Sequence, residues 1–139
     1  MFTSKRSIIA AFLLHLVLSA RQAECGVKVE IVNYIPWDDP VLVTCSEKHK
    51  VLGDPVPLGL HASYEFSCHK SLFGGGSCKC EVKWGDTVRY FDAYRQRRDQ
   101  SLCGGKCRWY LFLSGPALAD ASSPHDNPSF KVYYDWGEA

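Results

Sequence analysis

The chain has 139 residues, a length that corresponds to a single domain. Hydrophobic residues make up 46% of it and charged residues 22%, which excludes a disordered, collagen-like or coiled-coil protein. The net charge of +1 gives no sign of a nucleic-acid-binding protein. The seven cysteines are more unusual, because an odd number leaves one thiol unpaired in an oxidising compartment.

The first 25 residues have the composition of a secretory signal peptide. Lys5 and Arg6 precede an apolar run over residues 8–18, and small residues follow up to Cys25. The run is too short to span a bilayer, so we expect a secreted protein that does not insert into the membrane. Cleavage is predicted after Ala20 or after Cys25, and the second site leaves six cysteines, an even number.

From Gly26 onward, apolar residues alternate with polar ones, which indicates half-buried strands rather than helices. The alternating stripes are Val27/Val29/Ile31, Val41/Val43/Cys45, Tyr64/Phe66/Cys68, Cys78/Cys80/Val82/Trp84, Cys107/Trp109/Leu111/Leu113 and Phe130/Val132/Tyr134/Trp136. Turn-forming residues separate these stripes. The pattern predicts one all-β domain over residues 26–139, a small antiparallel β-sandwich of about six to eight strands with a loop-rich segment at 115–129.

The remaining cysteines lie mostly on these stripes, where disulfides would stabilise the sandwich from inside. We expect all six to form structural disulfides and not to bind a metal: Cys45, Cys68, Cys78, Cys80, Cys103 and Cys107. Spacing alone does not choose among the possible pairings. Cys68 and Cys78 flank three consecutive glycines, so a bridge that closes a hairpin between them is one expected pairing.

Short motifs follow one another on the predicted strands in a definite order. They are Val29-Glu-Ile-Val-Asn33, Leu42-Val-Thr-Cys45-Ser, Leu52-Gly53, Tyr64-Glu-Phe66-Ser, Cys80-Glu-Val-Lys-Trp84, Phe91-Asp92-Ala-Tyr94, Asp99, Cys103 and Cys107-Arg-Trp109. This ordered set resembles the plant self-incompatibility S-protein homologue family over residues 27–113. By that resemblance, Cys45, Cys80, Cys103 and Cys107 are the family's four cysteines, and Cys68 and Cys78 are an added pair. Thr44 and residues 46–50 depart from the family pattern, and the tail after Gly115 matches no part of it.

The resemblance implies a secreted, non-enzymatic protein that acts as a ligand. In the founding case, family members secreted by the stigma are recognised by incompatible pollen and stop its growth. We therefore expect recognition by a cell-surface receptor protein, in pollen–pistil or other cell–cell signalling. A secreted defence or carbohydrate-binding protein on the same scaffold is the alternative. We also expect a monomer without a cofactor.

The residues themselves do not indicate an enzyme. A nucleophile needs a positioned base and a third orienting group, and the sequence contains no G-x-S-x-G motif. The histidines that follow the signal peptide, His49, His61, His69 and His125, are expected at the surface.

Partner contacts are expected on the loops around residues 36–40, 46–57, 70–77 and 94–105. Arg95, Arg97 and Arg98 form the densest charge cluster, which fits either a patch for an acidic partner or a solvated loop neutralised by neighbouring aspartates. Trp37 lies between two prolines, either exposed as a contact residue or packed against the end of the sandwich.

Overall fold

The computed structural model describes residues 26–139, and the predicted signal peptide, with its cleavage site and Cys25, lies outside them. The elements in chain order are β1 (Val27–Asn33), β2 (Val41–Glu47), β3 (Lys50–Val51), β4 (Val56–Leu58), β5 (Ser63–Cys68), β6 (Ser77–Trp84), β7 (Thr87–Arg95), α1 (Gln96–Cys103), β8 (Lys106–Phe112), β9 (Gly115–Ala119) and β10 (Phe130–Tyr133). Within residues 26–139, no helix has the length and apolar character needed to cross a membrane.

The strands form two sheets that pack face to face. Sheet A has the strand order β10-β9-β8-β1-β5, and sheet B has the order β3-β2-β6-β7, with β4 also paired to β2. The core lies between the sheets, where Trp109 of sheet A packs edge-on against Phe91 of sheet B, 5.4 Å between ring centroids. The predicted all-β sandwich with disulfides is confirmed.

The strand count and one strand pairing differ from the prediction. The described chain has ten strands. The pattern predicted fewer because β3 and β4 are too short to show alternation. Strands β1 and β8 run parallel, with Val29 opposite Cys107, in an otherwise antiparallel sheet. Parallel strands need a long crossover connection. Here the chain between β1 and β8 passes through the strands of sheet B, through β5 of sheet A and through α1 rather than through a long helix.

The loop-rich segment predicted at 115–129 is loop only over residues 120–129. Gly115–Ala119 forms strand β9, in which every residue is buried. A strand that is covered on both faces does not alternate, so its sequence carries no stripe. Gly115 is required at the start of β9, because a Cβ there would clash with the backbone carbonyl oxygen of Tyr134.

Asn33, the last residue of the first motif, joins the two sheets at one end of the sandwich. Its Nδ2 donates to the carbonyl oxygen of Leu58 in β4 (2.9 Å), and its Oδ1 accepts from the backbone N–H of Ile35 (2.9 Å). Both bonds are buried, so this side chain fixes the path by which the chain leaves sheet A for sheet B.

Candidate functional site

The loop over residues 69–76 connects β5 of sheet A to β6 of sheet B. A disulfide between Cys68 and Cys78 lies at its base, with the two Cα atoms 6.2 Å apart. This is the expected pairing, but it does not close a hairpin, since β5 and β6 belong to different sheets. The bridge instead holds the two sheets together where the loop leaves them.

A buried glutamine fixes the inside of this loop. The Oε1 of Gln96, the first residue of α1, accepts from the backbone N–H groups of Ser71 (2.8 Å) and Gly76 (3.1 Å). Its Nε2 donates to the carbonyl oxygen of Ser71 (3.0 Å). A Cβ at Gly76 would lie 2.8 Å from that Oε1 and 2.7 Å from the carbonyl oxygen of His69, so only glycine fits there. The disulfide and the glutamine together hold the loop in one conformation.

Two large apolar side chains stand at the tip of this fixed loop. Leu72 is fully exposed and Phe73 is 90% exposed. Adjacent apolar side chains with so little cover are unfavourable in water unless a partner covers them. The loop was predicted from the sequence as a contact region, but these two residues were not. The signal that would have found them is an apolar pair outside every alternating stripe, directly before three glycines.

The structure places three of the four expected contact loops at the same end of the sandwich. Arg95 lies opposite Ser77, at the start of β6, and Arg97 borders Gly74 of the 69–76 loop. Glu47 of β2 lies opposite Cys78, which places the β2–β3 turn next to the 69–76 loop. The loop at 36–40 lies elsewhere.

Of the three arginines predicted as candidate contacts, Arg98 is the one whose side chain is held against the fold. Its guanidinium donates to both carboxylate oxygens of Asp99 (2.6 and 2.8 Å) and to the carbonyl oxygen of Asp92 (2.6 Å). It also lies 5.4 Å from the ring centroids of both Trp109 and Tyr134. The Arg98 side chain is only 16% exposed and Asp99 is buried, so this arginine neutralises a buried carboxylate within the fold.

Trp37 lies at the opposite end of the sandwich from the arginines. A Cβ at Gly85 would be 2.7 Å from its ring, so the indole rests directly on the turn that follows β6. The residue is nevertheless 47% exposed, and its role as a contact residue stays a prediction. The structure does not bring Trp37 together with Arg95 and Arg97.

The six cysteines of the described chain form three disulfides: Cys45–Cys80 within sheet B, Cys68–Cys78 between the sheets, and Cys103–Cys107 between α1 and β8. The carboxylate of Glu47 approaches the sulfurs of Cys68 and Cys78, a set of ligand types that can bind a metal. Thiolates are the metal-binding form of cysteine, and these two sulfurs are bonded to each other. This group is therefore part of a disulfide and not a metal centre.

On the outer face of sheet A, a buried carboxylate binds the loop over residues 120–129. Glu30 accepts from Arg108 (2.8 Å), and its carboxylate lies 3.0 Å from Nε2 of His125, which lies at the surface as expected, with its side chain 56% exposed. Arg108 also donates to the carbonyl oxygens of Ala121 and Ser123. Burial opposes ionisation of Glu30, but the hydrogen bonds from His125 and Arg108 outweigh it and hold the pKa of this carboxyl below its ordinary value.

Comparison with known proteins agrees with the order of the motifs. The family model described as plant self-incompatibility protein S1 matches residues 28–136, so the expectation that the tail after Gly115 matches no part of the family was wrong. S-protein homolog 29 of Arabidopsis thaliana is 27% identical over 108 residues, which cover 78% of this chain and 76% of that protein. No solved structure matches the chain. The family match spans both sheets, the 69–76 loop and all three disulfides, and it confirms the predicted family: the chain belongs to the plant self-incompatibility protein S1 family.

Proposed function

We propose that the protein is a secreted, non-enzymatic ligand that a cell-surface receptor protein recognises, in pollen–pistil or other cell–cell signalling. The observation that carries the proposal is the 69–76 loop, which exposes Leu72 and Phe73 to solvent. A disulfide fixes the base of this loop. A rigid scaffold that presents exposed apolar side chains on a loop is typical of a recognition surface. The disulfides and the signal-like N-terminus support an extracellular location.

The experiment is binding of the fluorescently labelled, oxidised protein to intact pollen tubes and to protoplasts. We expect saturable binding to at least one of these cell types, displaced by unlabelled protein and lost after mild protease treatment of the cells. The matched control is the same protein reduced and alkylated, which should not bind because the three disulfides hold the loops in place. Binding that never saturates, or that survives the protease, would contradict a receptor protein.

A carbohydrate-binding protein is the second candidate, and one surface favours it. Aromatic rings cluster on the outer face of sheet A, with centroid distances of 5.7 Å for Tyr34–Phe112, 5.8 Å for Phe112–Phe130 and 5.0 Å for Phe130–Tyr133. Tyr133 is 68% exposed and offers a ring on which a sugar can stack. Retention of the protein on purified cell-wall polysaccharide, lost in Tyr133→Ala, would favour this candidate over the receptor ligand.

A further inference from the structure

Charge is distributed very unevenly over this nearly neutral protein. At the end that carries the 69–76 loop, six lysine and arginine side chains are exposed. Three acidic residues lie near them: Glu47 and Asp92, which are partly buried, and Glu138, which is exposed and lines a cavity with Lys79 and Arg95. We call this end the basic apex. Its basic residues are Lys48, Lys50, Lys70, Lys79, Arg95 and Arg97, and its apolar tip is Leu72 with Phe73.

Cavities that share lining residues show that these side chains form one continuous surface. A cavity of about 240 Å³ lies between Lys48, Lys79 and Asp92, and one of about 380 Å³ lies between Lys48, Lys50 and Glu47. A third, of about 270 Å³, separates the glycines at 74–76 from Arg95 and Arg97. Ser77 lines both the first and the third cavity, which makes the basic surface continuous from the β2–β3 turn to α1.

In the part of the chain that the structure describes, Glu47, Asp92 and Glu138 leave most of the positive charge unpaired. The Glu47 carboxylate lies 3.1 Å from the ring of His69, and the Asp92 carboxylate binds Arg95 at 3.0 Å. Among the described residues, neither carboxylate forms an ion pair with Lys48, Lys70, Lys79 or Arg97. An exposed surface with this excess attracts a negatively charged partner over a distance of about 8–10 Å at physiological ionic strength.

We propose that the basic apex is the surface that binds the receptor, and that the receptor offers an apolar pocket ringed by aspartate and glutamate side chains. The apolar tip fills the pocket, and the lysines and arginines meet the acidic ring. This inference rests on the proposed function and names the chemistry of its partner. Buried apolar anchors set the strength of an interface, and complementary charge sets the rate of encounter and the specificity.

The form of the surface favours a protein over a membrane or an acidic polysaccharide. An anionic lipid surface or a polyuronate presents negative charge, but it has no side chains of protein shape and size to enter the three cavities. A protein supplies both carboxylates and cations, together with side chains that enter the three cavities. The apolar tip consists of two adjacent side chains, Leu72 and Phe73, which would fit a receptor pocket large enough for one or two side chains.

The test measures the affinity of variants for the protease-sensitive sites on the cells that bind the wild-type protein. Leu72→Ala and Phe73→Ala should each lower the affinity about tenfold or more, with unchanged thermal unfolding because both side chains are exposed. Lys70→Glu with Arg97→Glu should slow association and flatten its dependence on salt. The matched controls lie at the opposite end of the sandwich: Leu113→Ala for the apolar tip and Lys83→Glu for the charges, both expected to bind as the wild type does.

Three results would overturn the inference, each in a distinguishable way. If the apex variants bind cells as tightly as the wild type, or if Trp37→Ala alone removes binding, the receptor uses another surface and the proposed function stands. If the wild type binds vesicles of phosphatidylcholine and phosphatidylserine, or immobilised polygalacturonate, with the same dependence on Phe73, the partner is a lipid or a polysaccharide. If the wild type has no protease-sensitive site on any cell, the proposed function itself fails.

Discussion

The carboxylate of Glu30 is buried under the loop over residues 120–129, and three basic side chains approach it. Arg108 and His125 bind it directly, and Lys106 lies 3.9 Å away. Because Arg108 also binds two carbonyl oxygens of the loop, the ionised carboxylate keeps both the arginine and the loop in place. Protonation of Glu30 removes the charge around which this arrangement is built.

We predict that acid destabilises the protein partly through Glu30. Its pKa is lower in the folded protein than the ordinary value of 4.5, so its ionised form stabilises the fold above that pH. This contribution is lost as the pH falls through the folded-state pKa. Glu30→Gln should therefore be less stable than the wild type at pH 7, because Arg108 loses its partner, and should lose less stability on acidification.

Urea unfolding at a series of pH values between 3 and about 7 checks this prediction. Glu65→Gln is the matched control, since Glu65 is an exposed carboxylate on the same face of sheet A, and it should keep the wild-type pH dependence. A Glu30→Gln profile that runs parallel to the wild-type profile over the whole range would count against the role of Glu30.

Adjacent residues of identical type can have opposite roles, which limits prediction at this scale. Arg97 and Arg98 are neighbours in the sequence, yet Arg97 is exposed on the basic apex and Arg98 is held against Asp99 and Trp109. Nothing in the local sequence distinguishes these two arginines. It depends on a ring from β8 and on a helix whose direction is set by tertiary contacts.

At the scale of elements, α1 and the 69–76 loop act as one unit through Gln96. We predict that Gln96→Ala releases the loop, because two backbone N–H groups and one carbonyl group lose their partner, at a local cost of about 1–3 kcal/mol. Limited proteolysis with chymotrypsin, which cleaves after Leu72 and Phe73, should become several-fold faster. Gln100→Ala, an exposed glutamine on the same helix, is the control. Equal cleavage rates for the two variants would show that the disulfide alone fixes the loop.

Alternating apolar and polar residues predicted the strands that have one buried face and one solvent-exposed face. The stripes on β2, β5 and β6 were placed correctly, because burial on one side imposes a period of two. Strand β1 was also placed correctly, although Glu30 and Val32 on its outer face are buried as well. Strand β9 was missed because both of its faces are covered. Helix α1 was missed because it is short, with Leu102 and Cys103 as its only apolar side chains. The loop at 70–77 was identified as a contact region, but its apolar tip was not.

At the scale of the whole molecule, the three disulfides restrain the unfolded chain to different degrees. Cys45–Cys80 spans 35 residues and Cys103–Cys107 spans 4. Loop-closure entropy gives about 4 kcal/mol of stabilisation for the first and about 2 kcal/mol for the second. We predict this order when each pair is replaced by alanine and unfolding is followed by urea titration. Removal of Cys103 and Cys107 that costs as much as removal of Cys45 and Cys80 would contradict the prediction.

The parallel pairing of β1 with β8 has a consequence for synthesis. Strand β1 is the first strand of the described chain, but in the finished sheet it lies between β5 and β8. The chain emerges from the ribosome amino end first, so one edge of this apolar strand stays open until residue 112 has been made. Pairings between distant segments also form slowly, and open edges aggregate. The yield of native protein therefore depends on whether β1 stays soluble until β8 has been made and can pair with it.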